Sequence, residues 1–181
     1  YQGILKLPPA HCMWVDDGEI STREYWRLSY QVTHGGSEQD IVEEFRERLD
    51  DCVSRHMMSE VPLGALLSGG VDSTATAAFM RRARKESFKT VTIGFAGQSF
   101  DETEWATASA RELGTDHISI DFSGDAMDDY PDTLRHLEEP TRAVEAAIYH
   151  LFRTCRQHGL KVVLTGEGAD ELLGGYHWHQ G

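Results

Sequence analysis

Cysteine is scarce. Cys12, Cys52 and Cys155 are the three in 181 residues, and no C-x-x-C pair occurs. An odd, widely spaced set excludes a disulfide framework and the usual zinc spacings; it is the pattern of reduced thiols in a cytoplasmic protein. Basic charge is short as well: 17 Lys and Arg stand against 30 Asp and Glu, a formal net charge of −13. A nucleic-acid binder normally carries a basic patch, so no nucleic-acid partner is expected and the acidity reads as a solvated surface. No apolar run approaches the roughly 20 residues of a membrane span, and no signal peptide is visible. No G-x-x-x-x-G-K-[ST] string is present, which excludes a Walker A loop. Internal repeats and low-complexity segments are absent too. The chain opens on Tyr1 rather than methionine and stops at Gly181 just after a glycine-rich motif. Both ends therefore read as cuts inside a longer protein.

What is present centres on Ser68-Gly69-Gly70-Val71-Asp72-Ser73. An apolar run, Leu63 to Leu67, precedes it and is bounded by Pro62 and glycines, as a short buried strand would be. Thr74 to Met80 follows as a good helix former. Strand, glycine turn and helix in that order make an anion site. Gly69 and Gly70 allow positive φ and close backbone approach. The helix aims its free N–H groups and positive dipole end at the same spot. Ser68 and Ser73 add hydroxyl donors. Asp72 would face a phosphate only with a cation between them, which points to Mg²⁺.

The rest of the chain supplies a scaffold for that turn. Residues up to about Thr33 read as small hairpins: Ile4–Leu7 and Cys12–Val15 flank Pro8-Pro9, Asp17-Gly18 is a two-residue turn, and Tyr25-Trp26 closes a third β-like segment. After His34-Gly35-Gly36, Ser37 is an N-cap with Asp40 three residues on. Ile41, Phe45, Leu49 and Val53 then form a helical stripe. Lys89–Phe95, His117–Asp121 and Lys161–Thr165 read as strands. Helices are expected up to Leu113 with Gly114 as stop, across 124–137, and along the stripe Val144, Ala147, Ile148, Leu151 and Cys155. Arg81, Arg82, Arg84 and Lys85 complement a helix C-terminus. Alternating strands and helices predict an α/β fold with a doubly wound, mostly parallel sheet, preceded by a short β-hairpin linker. Ligands of such sheets bind beyond the carboxyl ends of the strands, at the switch point. Ser68 and Gly166 each directly follow a strand there.

A second motif runs Thr165-Gly166-Glu167-Gly168-Ala169-Asp170-Glu171-Leu172-Leu173-Gly174-Gly175-Tyr176. Three carboxylates within five residues need a partner to stay ionised. Mg²⁺ serves if Asp170 converges on the cation that Asp72 holds. Glu167 is then free to act as a base or to bind an amine. His177 and His179 have no further ligand cluster near them in sequence, and a surface or packing role is expected for both.

The hexapeptide Ser68–Ser73 resembles the PP-loop of ATP pyrophosphatases of the adenine-nucleotide alpha-hydrolase type. Lys161 through Tyr176, with Leu66–Ser73, Thr92–Phe95, Asp101-Glu102 and Leu113–His117, resembles the synthetase domain of the asparagine synthase family. Gly3–His11 and Tyr25-Trp26 resemble the segment that joins that family's glutaminase to its synthetase. The resemblance implies residues 1–36 as a β-rich linker from a glutaminase domain outside this chain. Residues 37–181 would be the N-terminal part of the synthetase domain. It implies that ATP adenylates a carboxylate, that of the aspartate side chain, and that ammonia drawn from glutamine displaces AMP. Ser68, Gly69, Gly70, Asp72 and Ser73 would grip pyrophosphate. Leu67 and Ile93 would flank adenine, and Thr165 and Gly166 the nucleoside. Asp72 and Asp170 would hold Mg²⁺, and Glu167 would accept a proton from the attacking ammonium or the tetrahedral intermediate. A catalytic lysine would lie beyond Gly181. A homodimer is compatible with this reading. After Glu139-Pro140 the family shows an Asp-Pro-Ser and then a Pro-Thr-Tyr pattern where this chain has Thr141-Arg142-Ala143-Val144-Glu145-Ala146-Ala147-Ile148-Tyr149, which leaves the acceptor open. A relative that adenylates another carboxylate to close a lactam or peptide ring, and a nucleotide-binding module without turnover, are the alternatives.

Overall fold

A computed structural model describes residues 2–29, 31, 35–122, 126–138, 140 and 143–179. The chain divides into two compact units, 1–41 and 42–181. In the first, β1 (His11–Asp16) pairs antiparallel with β2 (Glu19–Glu24), Asp16 opposite Glu19. Asp17 and Gly18 both take positive φ, 45° and 83°, which is what a tight two-residue hairpin turn requires. The other two expected β segments do not form. Ile4–Leu7 carries no strand, and Ile4 and Leu5 are exposed. The adjacent Pro8-Pro9 lacks N–H donors to continue a ladder. Tyr25 adds one bond beyond β2, from its N–H to the Ala10 carbonyl, and Trp26 lies outside the strand.

Ser37 caps α1 (Glu38–His56) as expected, accepting the Asp40 N–H at 3.2 Å while the Asp40 carboxylate accepts the Ser37 N–H at 2.8 Å. The division between the units falls inside this helix.

In the second unit, the sheet holds β3 (Leu63–Leu66), β4 (Lys89–Gly94), β5 (Asp116–Asp121) and β6 (Val162–Leu164) in the order β5-β4-β3-β6, all parallel. The connections are α2 (Val71–Ala83), α3 (Thr103–Leu113), and the pair α4 (Ala126–Leu137) and α5 (Ala143–Gln157). Strand periodicity sorts the helices onto two faces. Leu63 and Ala65 pack with Val53 of α1 and Met80 of α2. Leu67, of the same parity, packs with Ala77 of α2 and with Ala106 and Ala110 of α3. Val91 and Ile120 point the other way, onto Leu151 and Cys155 of α5. Burying a side chain such as Leu151 contributes about 1.5–3 kcal/mol. The stripe on α5 is rotated from its expected position. Ala146, Ala147, Leu151 and Cys155 are buried, while Val144 and Ile148 are exposed, because the small alanines let the helix approach the sheet. Asp129 of α4 clasps α5, accepting from Arg153 Nη2 at 3.0 Å and pairing with His150 at 2.9 Å.

Gly114 ends α3 in the left-handed region. Arg81 donates to the carbonyls of Arg84 and Lys85, as a cation at a helix end should. Cys12, Cys52 and Cys155 are free thiols. Among the described residues no helix is long and apolar enough to cross a membrane.

At the amino-terminal edge of the sheet lies a buried polar chain. Thr90, fully buried, bonds Thr115 at 2.8 Å and His117 Nδ1 at 2.9 Å. His117 Nε2 is buried without a partner, and burial holds this imidazole below its ordinary value. As pH falls below about 6.5, the unfolded chain takes up its proton first and the folded state loses stability. We expect the urea midpoint to fall from pH 7.5 to pH 5, with a smaller fall in His117→Asn. Equal pH dependence in the two proteins would remove His117 as the cause.

Candidate active site

The strand ends build the site. β3 stops at Leu66, and the chain turns through Ser68–Gly70 into α2. Gly69 takes φ +85°. A Cβ there would stand 2.5 Å from Trp105 Cβ and 2.6 Å from the Ala106 nitrogen. The loop thus rests directly on the first turn of α3, and only glycine permits it. Ser73 ties the turn from inside. Its Oγ accepts the Ser68 N–H at 3.1 Å and donates to the Gly70 carbonyl at 3.2 Å, and the two serine hydroxyls meet at 3.0 Å. Ser68 Oγ also accepts the Gly70 N–H at 3.2 Å. The two hydroxyls therefore shape the loop before they meet any ligand. Gly70 is the N-cap of α2 and provides no side chain to cap it, so the helix's first N–H groups keep their anion-binding capacity.

β6 delivers the second loop beside the first. Gly166 follows the strand, and a Cβ on it would stand 2.8 Å from the Ser73 nitrogen and 3.0 Å from Asp72 Cβ. The two motifs, about ninety residues apart in sequence, touch backbone to backbone at this point. Thr165 is exposed and its Oγ1 accepts the Glu167 N–H at 3.3 Å. Glu167 is exposed; Asp72 and Asp170 are half-buried. A short helix, α6 (Ala169–Leu173), holds Asp170 and Glu171 in its first turn. The three carboxylates of this loop have different surroundings. Glu171 accepts a 2.6 Å bond from the Tyr176 hydroxyl. That bond holds Glu171 below its usual range and pushes Tyr176 up to about 12. The Asp170 carboxylate instead lies against Gly175, where a Cβ would collide with it.

The expected adenine flank divides. Ile93 is half-buried at the end of β4. Leu67 is 1% exposed and packed in the core, with its N–H given to the Val91 carbonyl. Its side chain supports the loop from beneath, and only its backbone reaches the crevice. Asp101 accepts the Thr103 N–H and hydroxyl at 3.1 and 2.6 Å and so starts α3. Glu139, Thr141 and Arg142, in the segment that left the acceptor open, lie outside the described residues. His177 and His179 join a cluster of rings with Tyr176 and Trp178.

Mg²⁺ is tested by the donor set. Among the described residues no three His, Cys, Asp or Glu side chains converge. Two half-buried carboxylates on touching loops do suit this ion, which takes one or two protein carboxylates and completes its shell with water and substrate phosphate. Two participants escaped the sequence reading: Trp105, the seat of Gly69, and Tyr176, the partner of Glu171. The Trp105 contact depends on how separate segments fold together; the Glu171–Tyr176 bond spans five residues of the second motif, and its signal is a carboxylate and a phenol on either side of Gly174-Gly175.

An apolar groove of about 730 Å³ adjoins the second loop, lined by Leu49 and Val53 of α1, Val162–Leu164, Leu172 and Leu173, with Asp72 and Glu167 at its margin. A hollow of about 740 Å³ at the opposite edge of the strands, beside Pro62, Phe88 and Leu160, shares no residue with either loop.

The profile of the asparagine synthase family matches residues 44–181. Asparagine synthetase [glutamine-hydrolyzing] 1 of Bacillus subtilis is 37% identical over 167 residues, 89% of this chain and 25% of that protein. Asparagine synthetase B of Escherichia coli is 31% identical over 192 residues, 96% of this chain and 34% of that protein. The chain thus spans a quarter to a third of the length of these relatives. Among solved structures, the U34-tRNA thiolase NcsA of Methanococcus maripaludis superposes with a TM-score of 0.53 at 16% identity, over 74% of this chain and 48% of that one. At that identity the likeness concerns the fold alone.

The contact at Gly166 sets an expectation for stability. Gly166→Ala inserts a methyl group between two backbones and should destabilise the chain by about 1–3 kcal/mol. Gly35→Ala, which meets open space, should change it little. Urea denaturation of both variants checks this, and equal midpoints would mean that the loops separate freely.

Proposed function

The chain belongs to the asparagine synthase family, and from that premise we propose that it is the nucleotide-binding part of an ATP-dependent amide-forming ligase. The observation that carries the proposal is the backbone contact between Gly166 and the start of α2. It brings an anion-binding turn and an acidic loop to one place at the carboxyl ends of β3 and β6. The reaction we assign is adenylation of a carboxylate, that of the aspartate side chain, with release of pyrophosphate, followed by attack of ammonia to give asparagine and AMP. A carboxylate is a poor acyl donor, and the acyl-adenylate supplies the leaving group.

Each residue then has a task. The N–H groups of Gly69 and of the first turn of α2 hold the departing pyrophosphate, Gly70 gives the helix its open start, and Ser68 and Ser73 keep the turn in shape. Ile93 and the Leu67 backbone flank adenine, and Thr165 and Gly166 approach the nucleoside. Asp72 and Asp170 hold Mg²⁺, which when bound neutralises charge gathering on the pyrophosphate. Glu167, exposed beside Gly166, takes the proton that the nitrogen loses from the tetrahedral intermediate once ammonia has added to the acyl carbon. We assign residues 1–36 to a linker from a glutaminase domain that generates the ammonia, and 37–181 to the first part of the synthetase domain. A cytoplasmic location and a homodimer accord with this reading.

The test uses the full-length protein. Aspartate should support exchange of labelled pyrophosphate into ATP, and a panel of other carboxylic acids should not. Exchange with a different acid alone would reassign the acceptor. Glu167→Gln should bind ATP normally by calorimetry while amide formation falls about 10²–10⁴-fold; parallel loss of both would give Glu167 a structural role. Asp72→Asn and Asp170→Asn should each abolish Mg²⁺-dependent ATP use, and wild-type Mg²⁺ dependence in both would refute the metal assignment.

A further inference from the structure

The acidic loop holds more carboxylates than the proposed reaction uses, and the structure gives the surplus one a partner. Glu171 accepts from the Tyr176 hydroxyl at 2.6 Å. The Tyr176 ring is itself held from its other side, stacked on Trp178 at 4.4 Å with planes 16° apart. Between Glu171 and Tyr176 the chain doubles back over Asp170. The N–H groups of Gly174 and Gly175 both donate to the Asp170 carbonyl, at 2.9 and 3.2 Å. Gly174 takes φ +73°, and the place of a Gly175 side chain is filled by the Asp170 carboxylate. The Glu171–Tyr176 bond therefore closes a turn whose inner wall fixes where the Asp170 carboxylate can stand.

We propose that Tyr176 is a positioning residue for the metal site: by binding Glu171 it removes that carboxylate from competition and pins the Gly174–Gly175 turn against Asp170, presetting Asp170 for a divalent cation. The inference rests on the assignment of Asp170 to Mg²⁺. It adds a residue that touches neither metal nor substrate. Its physical basis is general. A ligand held in place by outer partners need not be ordered when the ion arrives, and loss of such a partner typically costs about 10–100-fold in metal affinity. Two carboxylates left free on one turn would also repel each other and spread the cation over several poses. Tyr176 is the device that gives Asp170 and Glu171 separate tasks.

The experiment titrates Mn²⁺, a paramagnetic stand-in for Mg²⁺, into the full-length protein and reads binding by water-proton relaxation. Metal-free ATP binding in EDTA is measured in parallel. The wild-type chain should bind Mn²⁺ and Asp170→Asn should not. Tyr176→Phe, which loses only the hydroxyl, should bind Mn²⁺ about tenfold more weakly with metal-free ATP binding unchanged. Glu171→Gln keeps an oxygen that can accept the tyrosine hydroxyl and should stay near wild type, whereas Glu171→Ala should behave as Tyr176→Phe. Wild-type Mn²⁺ affinity in Tyr176→Phe, with Asp170→Asn inactive, would overturn the positioning role and leave the metal assignment standing. An equal loss of metal and metal-free ATP binding in Tyr176→Phe would also overturn it, by making the residue structural. Unchanged Mn²⁺ binding in Asp170→Asn would overturn the metal assignment and this inference together.

Discussion

The close approach of Gly166 to the first turn of α2 is the constraint on which the rest depends. A parallel sheet places the ends of β3 and β6 side by side, but the loops that leave them could still diverge. They meet because position 166 has no side chain, so its backbone lies against Ser73 N and Asp72 Cβ. On the other side, Gly69 lies closer still to α3 at Trp105 and Ala106. The loop between β3 and α2 is therefore wedged between two neighbours, each contact made through a glycine. A preorganised anion site needs this kind of confinement, since donors free to move would have to be ordered by the ligand.

The surroundings of the acidic side chains show how one excess of negative charge is put to several uses. Asp40 and Asp101 start α1 and α3 by accepting backbone N–H groups. Asp129 joins α4 to α5 through Arg153 and His150. Glu171 is taken by Tyr176. Asp72, Glu167 and Asp170 stand on the two glycine-rich loops that face each other. The chain's net charge of −13 thus combines helix starts, a clasp and a site. Composition cannot separate these uses; partners do.

Much of the scaffold was legible because its signals are local. Asp17-Gly18 requires positive φ at two successive positions and forms the expected turn. Gly114 stops α3, and Ser37 starts α1. Each of these depends on a few neighbouring residues. The failures are of another kind. Ile4–Leu7 is apolar enough for a strand but joins no ladder among the described residues, and Val144 and Ile148 are apolar enough for a core but stay exposed. Periodicity says which residues could be buried together. The alanines of α5 decided which of two adjacent stripes was.

By itself the sequence determined the order of strands and helices, the two glycine-rich loops at strand ends and the chemistry they can carry. Those properties are encoded by adjacent residues, through backbone freedom at glycine, hydroxyl and carboxyl donors at short spacing, and hydrophobic period. Only the tertiary structure decided which parts meet. It buried the side chain of Leu67 beneath the loop that it precedes, seated Gly69 on Trp105, and separated Glu171 from Asp170 by giving it Tyr176. For Leu67 and Gly69 the physical reason is that such contacts depend on how whole elements pack, a property of surfaces that no short stretch of chain contains; for Glu171 it is the left-handed turn at Gly174, which carries Tyr176 back onto the carboxylate five residues before it.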